Sequence, residues 1–169
     1  MSGPLPQLAT YSDLADFSRL AIDLDDMDNA QTSQLVTQLI ALHARSLPVY
    51  LADAAPFAAT KHEHAKDVVN MIAADQMMTV DKLADYKVER NQAVSTGYFP
   101  IEFTGFHDLS INYLLSELVR RQESEISTID AICDKLKDAP SIRPLAEESL
   151  GAAKGHLESL QELLRSVTA

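Results

Sequence analysis

Residues 93–106 read Ala-Val-Ser-Thr-Gly-Tyr-Phe-Pro-Ile-Glu-Phe-Thr-Gly-Phe, with no helical period, two glycines, one proline and four aromatics. Long stretches with helical periodicity lie on both sides. A helix of ~30 residues is ~45 Å long, and ~15 extended residues reach ~50 Å. The segment can therefore cross the full length of a helical bundle, and its aromatics predict that it packs down as it goes. Up-and-down bundles need only short loops, so one long connection in the middle narrows the topology sharply.

The flanking periodicity predicts four long helices. Helix A covers 29–53, with Leu35, Leu39, Leu42, Ser46 and Val49 on one stripe and Val36, Ile40, His43, Leu47 and Tyr50 beside it. Two adjacent stripes give the wide apolar face a bundle helix needs. Pro48 lies inside this pattern, removes one backbone hydrogen bond and should kink the helix. Helix B runs from about Thr60 to Asn91, with Thr60 and Glu63 spaced as a capping box. Its apolar face is interrupted at the middle by Asp75 and Gln76.

Helix C covers 108–137, with Ile111, Leu114, Leu118, Gln122, Glu125 and Ile129 on its inner face. Helix D covers 142–167, with Pro144 in its first turn, where proline is tolerated. Ser149, Ala152, His156 and Leu160 lie on its stripe. Gly151 and Gly155, four apart, predict a close helix contact. Ahead of this block, residues 1–28 hold Pro4, Pro6 and a short helix capped by Ser12. An acidic patch then contains Asp23, Asp25, Asp26 and Asp28. An EF-hand counted from Asp23 would need Gly and Glu where Asp28 and Gln34 stand. A solvated turn favouring the next helix dipole is the better reading.

The expected architecture is thus all-α: a lead with a short helix over 1–28, then a four-helix bundle over 29–169 with its long crossover between helices B and C. At 169 residues the chain can bury a sizeable core. Its formal net charge of −11 argues against nucleic acid and anionic membranes as partners. Residues 1–10 lack a basic region and an apolar core, and no stretch approaches the ~20 apolar residues of a membrane span. The single cysteine, Cys133, reads as a small buried hydrophobe and forms no internal disulfide. A cytoplasmic location is the expectation.

Three stretches resemble the ferritin-like superfamily: residues 72–83, residues 152–160 and the crossover 97–109. The resemblance covers roughly 30–167. It implies a centre in which two helices each supply a carboxylate and two others each supply Glu-x-x-His, together holding two iron ions. In this sequence the Glu-x-x-His positions carry Asp75 and Met78 on helix B, and Ala153 and His156 on helix D. The inward polar residues of helices A and C are His43 and Gln122, with Glu125 one turn on. The candidate metal donors are therefore His43, Asp75, Glu125 and His156. That is too little negative charge for an ordinary di-iron centre, and Met78 is a soft ligand that suits iron(II) poorly.

The competing reading takes His43, Asp75, Gln122 and His156 as a polar cluster in the core without any metal. A buried Asp75 needs a partner, and His43 or His156 would serve. His62 and His64 point about 200° apart on a helix, so surface positions are expected for them. His107 reads as a capping or surface residue.

Three functions compete. The first is a ferritin-like protein with a degenerate di-iron site and a structural or association role. The resemblance implies a homodimer through helices A and B, with Tyr50, Phe57, Tyr98, Phe99, Phe103 and Phe106 as apolar anchors beyond the core. The second is a metal-dependent oxidoreductase or iron-handling protein that uses iron or another divalent metal through an altered ligand set. The third is a small-ligand binder in the bundle core, in space opened by Ala153 and Gly155. The balance leans away from catalysis and away from any cofactor.

Overall fold

The computed structural model describes residues 29–54, 56, 63–106 and 109–168. The predicted short helix, the acidic patch, Phe57, Thr60, His62 and His107 lie outside the described residues. The described part is all-helical. Helix α1 occupies 29–44, α2 Leu47–Ala54, α3 Glu63–Val88, α4 Ile111–Lys135 and α5 Arg143–Thr168. A 3-10 helix, Ile101–Phe106, sits in the crossover.

Predicted helix A is two helices. The break falls at Arg45 and Ser46, just ahead of Pro48, which occupies the first turn of α2 where its missing N–H costs nothing. Ser46 Oγ accepts from Val49 N at 3.4 Å, a weak cap on the new helix start. Helix α3 stops because Asn91 adopts φ 55°, a left-handed turn that Asn tolerates, while Gln92 N donates back to Lys87 O. Pro140 follows α4 and Pro144 opens α5, which fixes a short α4–α5 turn.

The core divides along the helix axes into two apolar clusters. One gathers Leu35, Leu39 and Ile40 of α1, Val80 and Leu83 of α3, Ile129 and Ile132 of α4, and Ala146 and Ala153 of α5. The other gathers Leu47 and Leu51 of α2, Val69 and Ile72 of α3, Leu114 and Leu118 of α4, and Leu160 and Leu163 of α5. Chain direction follows from this division. The α1–α2 pair and α5 pass from the first cluster to the second, whereas α3 and α4 pass from the second to the first. Helices α3 and α4 therefore run the same way, and the segment joining them must return along the full length of the core.

Contacts along residues 92–109 trace that return. Gln92 Nε2 donates to Asn29 Oδ1 at the start of α1, and Arg45 reaches Thr96 halfway along. Phe99 and Phe103 then pack on Tyr50 of α2, with ring centroids 5.3 Å apart in both cases. The predicted anchors are thus mostly internal. Phe103 is 2% exposed, and Phe99, Phe106 and Tyr50 pack against its cluster. Only Tyr98 of the described set stands out in solvent, at 96% exposed.

Asn29–Ala54, spanning α1 and α2, is apolar and long enough to cross a membrane by composition alone, unlike the sequence expectation that no stretch comes close. Over half of its apolar window is buried inside the protein, as a core helix requires. Gly151 and Gly155 do not mediate a close helix contact. Both are exposed, and a Cβ added at either would meet nothing within 4 Å, because α5 turns its Ala146–Ala153–Leu160 side inward instead. Cys133 is partly buried against the first cluster, and burial raises its thiol pKa.

Candidate functional site

Between the two apolar clusters every long helix turns polar. The residues are His43 and Ser46 around the α1–α2 break, Asp75 and Gln76 on α3, Gln122 on α4, and Ser149 and His156 on α5. Their side chains pair off. His43 Nε2 lies 2.6 Å from Ser149 Oγ. Ser46 Oγ donates to Gln76 Oε1 at 2.6 Å. Gln122 Nε2 donates to the Ala153 carbonyl at 3.2 Å. The His156 imidazole Nε2 meets Asp75 Oδ2 at 3.0 Å.

Burial differs across this layer and sets its chemistry. His43 is 3% exposed. Burial first, and the nearby His156 second, lower its pKa to about 4, so its imidazole is neutral at pH 7. Its partner is a hydroxyl, which suits a neutral ring. Asp75, read from the sequence as buried, has its side chain 48% exposed at the rim, while His156 is 12% exposed. The helix face carrying Asp75 also carries Met78, 56% exposed. Position 78, where the resemblance places an imidazole ligand, thus faces away from the core.

The four expected metal donors do not converge. His156 holds Asp75, His43 turns to Ser149, and Glu125 lines a separate crevice. Among the described residues, no group of three or more His, Cys, Asp or Glu is placed to hold a metal ion. Two iron ions need several carboxylates around one point, and these residues do not fit them. The cluster expected from His43, Asp75, Gln122 and His156 is likewise divided into separate pairs. Ser46, Gln76 and Ser149 belong to the same layer. Gln76 and Ser46 stood in the sequence as polar interruptions of apolar stripes, which was the available signal. Their pairing depends on helix rotation and was not legible.

Of the two positions expected to open ligand space, Gly155 faces outward with nothing near it, and Ala153 is packed into the core. Ala153 is 1% exposed within the first apolar cluster, and its carbonyl receives the Gln122 amide. Three buried nitrogens of the layer, His43 Nδ1, His156 Nδ1 and Gln76 Nε2, have no hydrogen-bond partner among the described residues.

A separate cavity lies away from this layer. A crevice of about 530 Å³ opens between α1, the crossover and α4. Ala41, Leu42, Pro100 and Phe103 give it apolar walls, and Arg45, Arg120, Arg121 and Glu125 supply charge. Gly97 takes φ +69°, a left-handed conformation that glycine adopts at no steric cost, and sits on the crevice wall between Thr96 and Tyr98. Arg121 donates to Glu117 and Glu102, and Arg120 to Glu117. Burial pushes the Glu125 carboxyl up to about 7, against the pull of Arg121.

Comparison with known protein families, with curated proteins and with solved structures finds no match for this chain.

Proposed function

We propose that this protein is a ferritin-like four-helix bundle whose central layer has exchanged di-iron ligands for internal hydrogen bonds, and that it works by association and binding instead of by redox chemistry. The observation that carries this reading is the pairing of His43 with Ser149, Ser46 with Gln76 and Asp75 with His156, which leaves no common focus for a cation. The parallel run of α3 and α4 with a full-length crossover supports the ferritin-like assignment, since one long connection is characteristic of that topology. A polar layer between two apolar clusters holds helix register, because a shift of one residue would leave buried polar groups unpaired.

Association as a homodimer, implied by the same resemblance, draws support from α3. Met71, Ala74 and Met78 recur at helical spacing and are all exposed. An apolar strip of this kind on a helix surface suits a partner helix.

Elemental analysis of untagged protein, grown with added iron, manganese and zinc, tests the metal part. The expected result is substoichiometric metal, with a melting temperature that none of the three ions shifts. Near-stoichiometric iron or manganese would overturn the reading and restore the altered-ligand oxidoreductase. Light scattering coupled to size exclusion tests association, with Met71→Glu and Met78→Glu together expected to yield monomer.

A further inference from the structure

The crevice between α1, the crossover and α4 plays no part in the central layer and is independent of the proposal about metal. Its apolar lining comes from α1 and the crossover, α4 adds only polar and charged side chains, and its volume falls within the range of small-molecule sites. Its charges are uneven. Arg120 and Arg121 are neutralised by Glu117 and Glu102. Arg45 has no carboxylate within salt-bridge distance among the described residues. Its Nε donates to the Thr96 carbonyl at 2.9 Å and its Nη2 to Thr96 Oγ1 at 2.6 Å, while its guanidinium lies 4.8 Å from the centre of the Phe99 ring. These contacts brace the group and, among the described residues, use Nε and Nη2 but not Nη1. An oriented, partly buried guanidinium with no counterion among the described residues stands out in a chain of net charge −11.

We propose that this crevice binds a small amphipathic organic anion, its carboxylate held by Arg45 and its hydrocarbon body laid against Leu42, Pro100 and Phe103. A braced guanidinium is suited to a carboxylate, because little side-chain freedom remains to be lost on binding. The apolar walls supply the hydrophobic part of the affinity. Glu125 makes the site pH-dependent. Its acid form, which prevails below about pH 7, is neutral and a hydrogen-bond donor. Its ionised form repels an anion. The titratable and charged groups facing it in the crevice are Arg45 from α1, Tyr98 from the crossover, and Arg120 and Arg121 on its own helix.

Calorimetric titration of the whole protein with octanoate, octylammonium and octanol at matched chain length tests the assignment. Octanoate should bind at least tenfold more tightly than octylammonium. Arg45→Gln should weaken octanoate by about tenfold or more. Gln38→Glu, on an exposed position of the crevice rim, places a negative charge there without touching the core. It should weaken octanoate as well and keeps the test decisive if Arg45→Gln fails to fold. Octanoate affinity should fall between about pH 6 and 8 in the wild type and stay level in Glu125→Gln. No saturable octanoate binding, equal or tighter binding of octylammonium, or an affinity unmoved by Gln38→Glu would overturn the proposal.

Discussion

Two titrating groups in this fold act on stability with opposite sign, and the consequence is measurable. Glu125 keeps its proton in the folded chain up to about pH 7 instead of 4.5, because burial disfavours the charged form. Between those values the unfolded chain has lost the proton and the folded chain holds it, so stability is full below about pH 4.5 and falls as pH rises through 7. At about 1.4 kcal/mol per pH unit the loss is about 3 kcal/mol at most. Solvent reaching the half-buried side chain reduces it to about 2 kcal/mol. His43 does the reverse. Its folded pKa is about 4 against 6.5, so the unfolded chain binds the extra proton and stability falls as pH drops from 6.5 towards 4. That contribution is about 3 kcal/mol for a side chain so deeply buried. Over the shared window from 4.5 to 6.5 the two slopes nearly cancel.

Glu125→Gln should unmask the histidine. Urea unfolding followed by circular dichroism, on wild type and variant at several pH values, isolates the effect, since every other group cancels in the difference. The variant should gain about 2 kcal/mol on wild type between pH 4.5 and 7.5. Curves that run parallel across that range would refute both the buried-acid account of Glu125 and the compensation argued from it.

Further outcomes follow from the packing. Ser46→Ala should cost about 1–3 kcal/mol by stranding Gln76 in the core, whereas Ser46→Ala with Gln76→Leu should recover most of it, read from urea midpoints. Phe103→Ala should cost about 3–5 kcal/mol, because the ring is 2% exposed and touches Tyr50, Phe99 and Phe106, and it should raise amide exchange along the crossover. Asp75→Asn should cost under about 1 kcal/mol in urea unfolding, since the pair with His156 lies at a half-exposed rim.

Local sequence pattern located the long helices among the described residues and the point where the long connection falls. The 3.6-residue recurrence of Leu and Ile, the prolines at 48, 140 and 144, and the aperiodic aromatic stretch act through local backbone chemistry. Helix ends were legible to within a few residues for the same reason. The break at Arg45–Ser46 was legible as a kink at Pro48, though not as two separate helices, because residues either side of the break keep one continuous apolar face.

Tertiary structure decided the rest. The sequence could place His43, Asp75, Gln122 and His156 at one level of four helices but not say which would meet. Rotation of each helix by a fraction of a turn separates a convergent donor set from isolated pairs, and packing across the core sets that rotation. It gave His43 to Ser149, sent Asp75 to the rim and packed Ala153 into the core. The crossover shows the division most clearly. Its length was written in residues 93–106, but the crevice beneath it, with Arg45 braced on Thr96 and Glu125 opposite, exists only because residues some 50 and 30 positions apart in the chain are brought together by its path.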